Sequence, residues 1–409
     1  MTNKESLLLA RQPILDKSLQ VVGYELLCRP APEDSLSWQA MNGDSATSNV
    51  MISAFNDIGI DEVTGGLPVF INFTEHWLHN PPILPTVNMV AEVLEYIEPT
   101  DNNLQAIRRL KRYGYTVALD DYQGDPTQAA IIELADIVKI DIRRLPSLAT
   151  LTDIINRYSR PELTWLAEKV ETQEEFQQCL EAGCELFQGY FFSRPADVYG
   201  KCLPDNQLAV LQLLHTLNDP DSEVEQITAI MQTDPQLSYK LLRIVNSAAV
   251  GLPREVTSIA RAVVIVGIDR LRAWANLISL GQLADKPSVL REQAIIRAYL
   301  CKSITLSWPD LDEDTAFTMG LFSLLDAFLD YPLDSICRQL NLPDYLTEAL
   351  LEHRGGYGLI LDTVIAMERA KWDDINWPVL AGMKITPTDL EMRYLSAIHT
   401  TRDLLISET

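Results

Sequence analysis

The chain has 409 residues, 47% of them hydrophobic, and a formal net charge of -24. That length and apolar content support folded cores and exclude a fibrous or disordered chain. The acidity argues against general attraction to nucleic acid or an anionic membrane, which needs an excess of Lys and Arg.

The opening MTNKESLLLARQP is interrupted too early by Arg11 and Pro13 for a signal peptide, and no apolar run approaches the roughly 18 residues of a membrane span. A cytoplasmic protein without membrane contact is expected. Cys28, Cys179, Cys184, Cys202, Cys301 and Cys337 form no C-x-x-C pair, so they suggest neither a zinc knuckle nor a redox dithiol.

Seven short apolar runs in the first half carry a polar, mostly acidic residue at or near their ends. In chain order QVVGYELLCR carries Glu25, VFINF Asn72, VAEVLE Glu95, TVALDD Asp120 and Asp121, IVKID Lys139, TWLAEKVE Glu168 and ELFQG Gln188. Between them lie helical stretches. LQAIRRLKRYG stops at Gly114, PTQAAIIELAD and SLATLTDIINRYS follow, and TQEEFQQCLEAG pairs a Thr172–Glu175 capping box with a stop at Gly183. Alternating strand and helix predicts a TIM-like (β/α) barrel, in which parallel strands finish on one rim and the chemistry gathers there.

Pro195, Gly200 and Pro204 in SRPADVYGKCLPDN mark a linker, which predicts one domain over residues 1–200 and a second over 201–409. Beyond it apolar residues recur at three and four, as in Leu237, Leu241, Leu242 and Val245, then Ile259, Val263, Val266 and Ile268. That period predicts an all-helical domain.

A single acidic residue at a strand end is ordinarily a loop-start cap, so weight falls on the ordered series. Carboxylates gathered on one rim repel one another unless a cation sits among them, and hard oxygen donors suit Mg²⁺ or Mn²⁺. Two such ions can polarise a phosphodiester and activate water for in-line attack, with Asp120 bridging. Lys139, two residues before Asp141, can orient that water or offset charge developing on phosphorus.

QPILDKSLQVVGYELLCR resembles the opening of EAL domains that hydrolyse cyclic di-GMP, with Glu25-Leu26-Leu27 in place of the signature triplet and Arg29 following. Asn72 is similar to the family's metal-binding Asn, Glu95 and Glu98 to its LEITE motif, and Asp120-Asp121 to its DDFG motif. Lys139, Glu168 and Glu171 in AEKVE, and Gln188 in QGYFFSRP complete the series. The resemblance implies that Glu25, Asn72, Glu95 and Asp120 bind two Mg²⁺ or Mn²⁺ ions. Lys139, Glu168 and Asp121 would serve catalysis, Arg29 and Gln188 the substrate, and Glu98, Glu171 and Asp141 would support them. Related barrels often dimerise, so a homodimer is an expectation on the same footing.

DPQLSYKLLRIVNSAAVGLPREVTSIARAVVIVGIDRLRAW resembles the hallmark segment of the HDOD domain, a helical relative of the HD phosphohydrolases. GLFSLLDAFLD, in place of the His-Asp pair, contains no His, which implies no second hydrolase site. The expected activity is metal-dependent hydrolysis of cyclic di-GMP to the linear dinucleotide pGpG, with the HDOD domain addressing a protein partner. The alternative is a non-catalytic cyclic di-GMP receptor. Retained ligands favour the first; the loop YQGDPTQAA, where active members carry FGTGYSSL to couple dimerisation to metal binding, favours the second.

Three weaker signals have structural readings. His76 and His79 lack a third ligand, and His353 suits a helix end. TSIARAVVIVGIDRLRAW has helix-turn-helix length but too few cations for DNA.

Overall fold

The computed structural model describes residues 7–30, 63–81, 88–193, 267, 286–339 and 342–408. The chain divides into two compact units, Met1–Phe192 with Glu368–Ala370 and Ser193–Met367 with Lys371–Thr409.

The first unit is a closed barrel of eight strands in sequence order: β1 (Leu7–Asp16), β2 (Val21–Pro30), β3 (Val69–Phe73), β4 (Met89–Val93), β5 (Thr116–Leu119), β6 (Ile137–Asp141), β7 (Thr164–Glu168) and β8 (Leu186–Gln188). Helices α1 (Glu75–His79), α2 (Asp101–Arg112), α3 (Ala129–Ile132), α4 (Leu148–Tyr158) and α5 (Gln173–Ala182) occupy the crossovers after β3 to β7. From β2 to β8 neighbouring strands are parallel, whereas β1 runs antiparallel to both β2 and β8.

The reversed β1 is absent from the sequence reading, which counted seven strands. Its signal is the turn DKSLQ between two apolar runs. Asp16 Oδ1 accepts from Ser18 N and Gln20 N, and Leu19 takes the left-handed conformation at φ 59°, closing a hairpin. Pro13 masks the strand on paper, since proline cannot donate to a ladder.

The helix signals fare better. Thr172 and Glu175 form the reciprocal capping box of α5, and Gly183 ends it at φ 108°. Gly114, at φ 92°, follows the α2 cap Tyr113.

Barrel closure fixes a single apolar plug. Ile14, Phe70, Val90, Ala118, Ile137 and Leu166 pack together, flanked by Val22 and Leu186. Gly23 makes room for this layer, because a Cβ there would meet Phe70 at 3.0 Å. Gly189 allows a closer approach: a Cβ would lie 2.0 Å from Val170 O, and its φ is 149°.

The described part of the second unit is helical, with α6 (Ser288–Thr305), α7 (Glu313–Phe322), α8 (Leu325–Leu329), α9 (Leu333–Gln339), α10 (Asp344–Glu352), α11 (Gly355–Glu368), α12 (Trp377–Gly382) and α13 (Pro387–Glu408). α6 packs on α7 where Gly320 replaces a side chain; a Cβ there would meet Ala298 Cα at 2.8 Å. α13 covers another side of α6, and Arg393 Nη2 donates to Ser307 Oγ at 2.7 Å. His353 closes α10 in the left-handed conformation, as its position implied, and its Nδ1 stands 2.6 Å from Asp362.

The predicted linker from Arg194 onward, the periodic residues Leu237 to Ile268, the HDOD hallmark segment and the helix-turn-helix candidate lie outside the described residues, Gly267 excepted. Among the described residues no helix is long and apolar enough to cross a membrane.

Replacing Gly189 by Ala is expected to cost at least about 3 kcal/mol in urea unfolding, because backbone must move to admit the methyl group. On α13, burial raises the Glu391 carboxyl to about 7 from 4.5. The folded state therefore keeps a proton that the unfolded state loses, so stability falls as pH rises from 4.5 to 7 and levels off above. Glu391→Gln should strengthen α13 against hydrogen exchange by about 2 kcal/mol at pH 8 and have little effect at pH 4.

Candidate active site

Side chains alternate along a strand, so the residue two places beyond each plug position points the same way and lies one layer nearer the rim. Phe70 leads to Asn72, Val90 to Glu92, Ala118 to Asp120, Ile137 to Lys139, Leu166 to Glu168 and Leu186 to Gln188. On the reversed β1 the same step runs backward, from Ile14 to Gln12, which stands opposite Glu25 of β2. Every strand thus contributes to one polar layer above one apolar layer. Asn72 and Glu92 are direct partners in the β3–β4 ladder.

Lys139 sits at the centre of this layer, fully buried. Its Nζ lies 2.9 Å from Asp120 Oδ1, 2.8 Å from Glu168 Oε1 and 3.3 Å from Glu25 Oε2, and it also contacts Glu92 Oε1. Gln188 Nε2 donates to Glu25 Oε2 at 2.7 Å and to Gln12 Oε1 at 3.0 Å, so Lys139 and Gln188 share one carboxylate oxygen. The backbone of Lys139 is held as well, because Tyr122 N donates to its carbonyl at 2.9 Å.

Four carboxylates face one ammonium, an excess of negative charge in a place with little water. Burial pushes the Glu92 carboxyl well above its ordinary range; Glu25 and Asp120 add to the shift and Lys139 opposes it. Burial also raises Glu168 to about 8, against the pull of Lys139. For Lys139 burial works against the charge, but Asp120, Glu168, Glu25 and Glu92 together hold the ammonium well above the usual lysine range.

The donor set fits a hard divalent cation. It offers carboxylate and amide oxygens, and Glu92 Oε2 and Gln188 Oε1 are buried without a hydrogen-bond partner. Among the described residues no group of three or more His, Cys, Asp or Glu is already gathered as a metal shell. Lys139 Nζ engages the oxygens that would form one.

Not every predicted residue enters this cup. The resemblance put Glu95 in the metal set, but the structure brings in Glu92, which the sequence reading missed. β4 ends at Val93, and Glu95, three residues beyond Glu92, falls out of the inward alternation. Its carbonyl accepts from Gln128 Nε2. Glu98 is exposed, with its carbonyl accepting from Asn103 Nδ2. Glu171 lies on the outer rim, 3.5 Å from Arg143. Asp121 turns away at φ 46° and faces Arg144 and Lys169 instead of Lys139. Asp141 is buried beside the same two cations. The Arg29 side chain lies outside the described residues.

His79 Nε2 is 2.8 Å from Asn103 Oδ1, and the Asn103 amide nitrogen donates to Glu75. The alternation that excludes Glu95 was readable from VFINF and VAEVLE, since Phe70-x-Asn72 and Val90-x-Glu92 share one spacing.

The EAL domain model matches residues 2–195 and the HDOD domain model residues 203–328. The uncharacterized protein YuxH of Bacillus subtilis is 33% identical over 375 residues, covering 89% of this chain and 91% of its own. The cyclic di-GMP phosphodiesterase CdgJ of Vibrio cholerae is 32% identical over 371 residues, covering 90% and 86%. A solved EAL domain protein of Listeria monocytogenes aligns over 47% of this chain and 89% of its own, at 22% identity and a TM-score of 0.38. From relatives matched across both domains, the chain belongs to the family that joins an EAL domain to an HDOD domain.

Proposed function

We propose that the barrel is a metal-dependent phosphodiesterase that opens cyclic di-GMP to linear pGpG. The observation that carries this reading is the cup of four carboxylates around Lys139 at the carboxyl rim of the barrel. Its similarity to CdgJ, whose name states this activity, supports the choice of substrate.

Glu25, Asn72, Glu92 and Asp120 are the residues that would hold Mg²⁺ or Mn²⁺. The bound cation would supply Lewis-acid polarisation of the phosphodiester and lower the pKa of water. The remaining roles belong to the chain. Lys139, kept charged by its neighbours, orients the attacking water and offsets charge developing on the phosphoryl oxygens. Glu168, 2.8 Å from Lys139 Nζ, accepts the proton that the water gives up once the pH approaches about 8, where its raised carboxyl ionises. Gln188 holds Glu25 in place. Arg29, four residues beyond Glu25 on β2, is the proposed contact to a substrate phosphate.

Full-length protein incubated with cyclic di-GMP and Mn²⁺ should release pGpG, with turnover lost in Glu25→Ala and Asp120→Asn. Glu92→Gln should reduce the rate by about 100-fold or more, whereas Glu95→Gln should stay near wild type. Nucleotide binding without any linear product would assign a receptor instead.

Lys139 also has a structural role that its substitution exposes. In metal-free buffer Lys139→Met should destabilise the barrel by about 3–5 kcal/mol, because four carboxylates, three of them buried, lose their cation. Added Mn²⁺ should recover part of the melting temperature without restoring turnover. A melting temperature indifferent to Mn²⁺ would contradict the metal assignment.

A further inference from the structure

Next to the Lys139 cup stands a second carboxylate pair with a different charge balance. Asp121 Oδ2 lies 3.1 Å from Arg144 Nη1, and its Oδ1 lies 3.8 Å from Lys169 Nζ. Asp141 Oδ2 lies 2.5 Å from Lys169 Nζ and 3.4 Å from Arg144 Nε, while its Oδ1 accepts from Arg143 N at 2.9 Å. Two carboxylates therefore meet two protein cations, whereas in the cup four meet one.

The two clusters are joined through the backbone. Asp121 follows Asp120, and Lys169 follows Glu168, so these two members of the second cluster are chain neighbours of cup residues. Both take positive φ, 46° at Asp121 and 58° at Lys169. That conformation is costly for residues with a Cβ. The turn after each strand sends the two successive side chains to different clusters. Asp141 is almost completely buried and contacts both Lys169 and Arg144.

We propose that Lys169 and Arg144 act as built-in counter-cations that hold Asp121 out of the metal shell. Building on the metal-dependent reading above, this makes the chain's cation occupancy ordered. The first divalent ion enters the cup, where negative charge is in excess. A second ion gains Asp121 only by displacing two positive side chains that already satisfy it. Lys169 and Arg144 are positioning residues here: they act on the metal shell through Asp121 and touch no substrate atom.

Calorimetric titration of the full-length protein with Mn²⁺ alone tests this. Wild type should take up one tight equivalent, with a second weaker by about tenfold or more. Lys169→Gly, which suits the backbone at φ 58°, combined with Arg144→Ala should tighten the second equivalent. Adding Asp121→Asn to that pair should weaken it again. Lys169→Gly alone should move the second ion in the same direction by a smaller factor, which guards against a double variant that fails to fold. Two equally tight ions in wild type, or variants that titrate like wild type, would overturn the counter-cation assignment while leaving the metal-dependent reading intact. No Mn²⁺ uptake by wild type would overturn both.

Discussion

The first unit depends on one buried ammonium. Lys139 lies one layer above the apolar plug, and four strands besides its own send a carboxylate to it or end just before one that does. Without that cation the layer would be a ring of like charges with little water to screen them. With it the ring is held together but still short of positive charge, so the arrangement that stabilises the barrel also prepares it to take up a metal. Structure and chemistry draw on the same imbalance.

Much of this was legible in the sequence because a barrel strand repeats every two residues. Asn72, Asp120, Lys139, Glu168 and Gln188 each close a short apolar run, and the structure places each of them two residues from a plug position. The error at Glu95 has the same origin. Matching a motif by its letters shifted the choice by three residues, past the end of β4 and out of the alternation that turns Glu92 inward. Counting from Val90 would have selected Glu92. Asp121 was misplaced for another reason: adjacent acids look alike in a sequence, and only the positive φ separates their directions.

Local signals served the helices well. The Thr172–Glu175 box and the stops at Gly183 and Gly114 depend on residues within a few positions of one another, so they survive without tertiary information. β1 did not, although it forms a hairpin with the adjacent β2, because Pro13 interrupts its ladder donors and masks the strand on paper. In the helical unit the absence of His from GLFSLLDAFLD was plain from sequence. That Ser323 of this segment accepts from the buried Arg297 at 2.9 Å was not.

The reversal of β1 also bears on how the protein can be handled. Because this strand runs against its neighbours, its first residue, Leu7, stands level with Pro30 at the mouth end, while Asp16 reaches the floor beside Leu186. A purification tag or fluorescent fusion joined ahead of Leu7 would therefore be tethered at the rim that carries the carboxylates, whereas an insertion in the Lys17–Leu19 turn would hang from the far end of the cylinder.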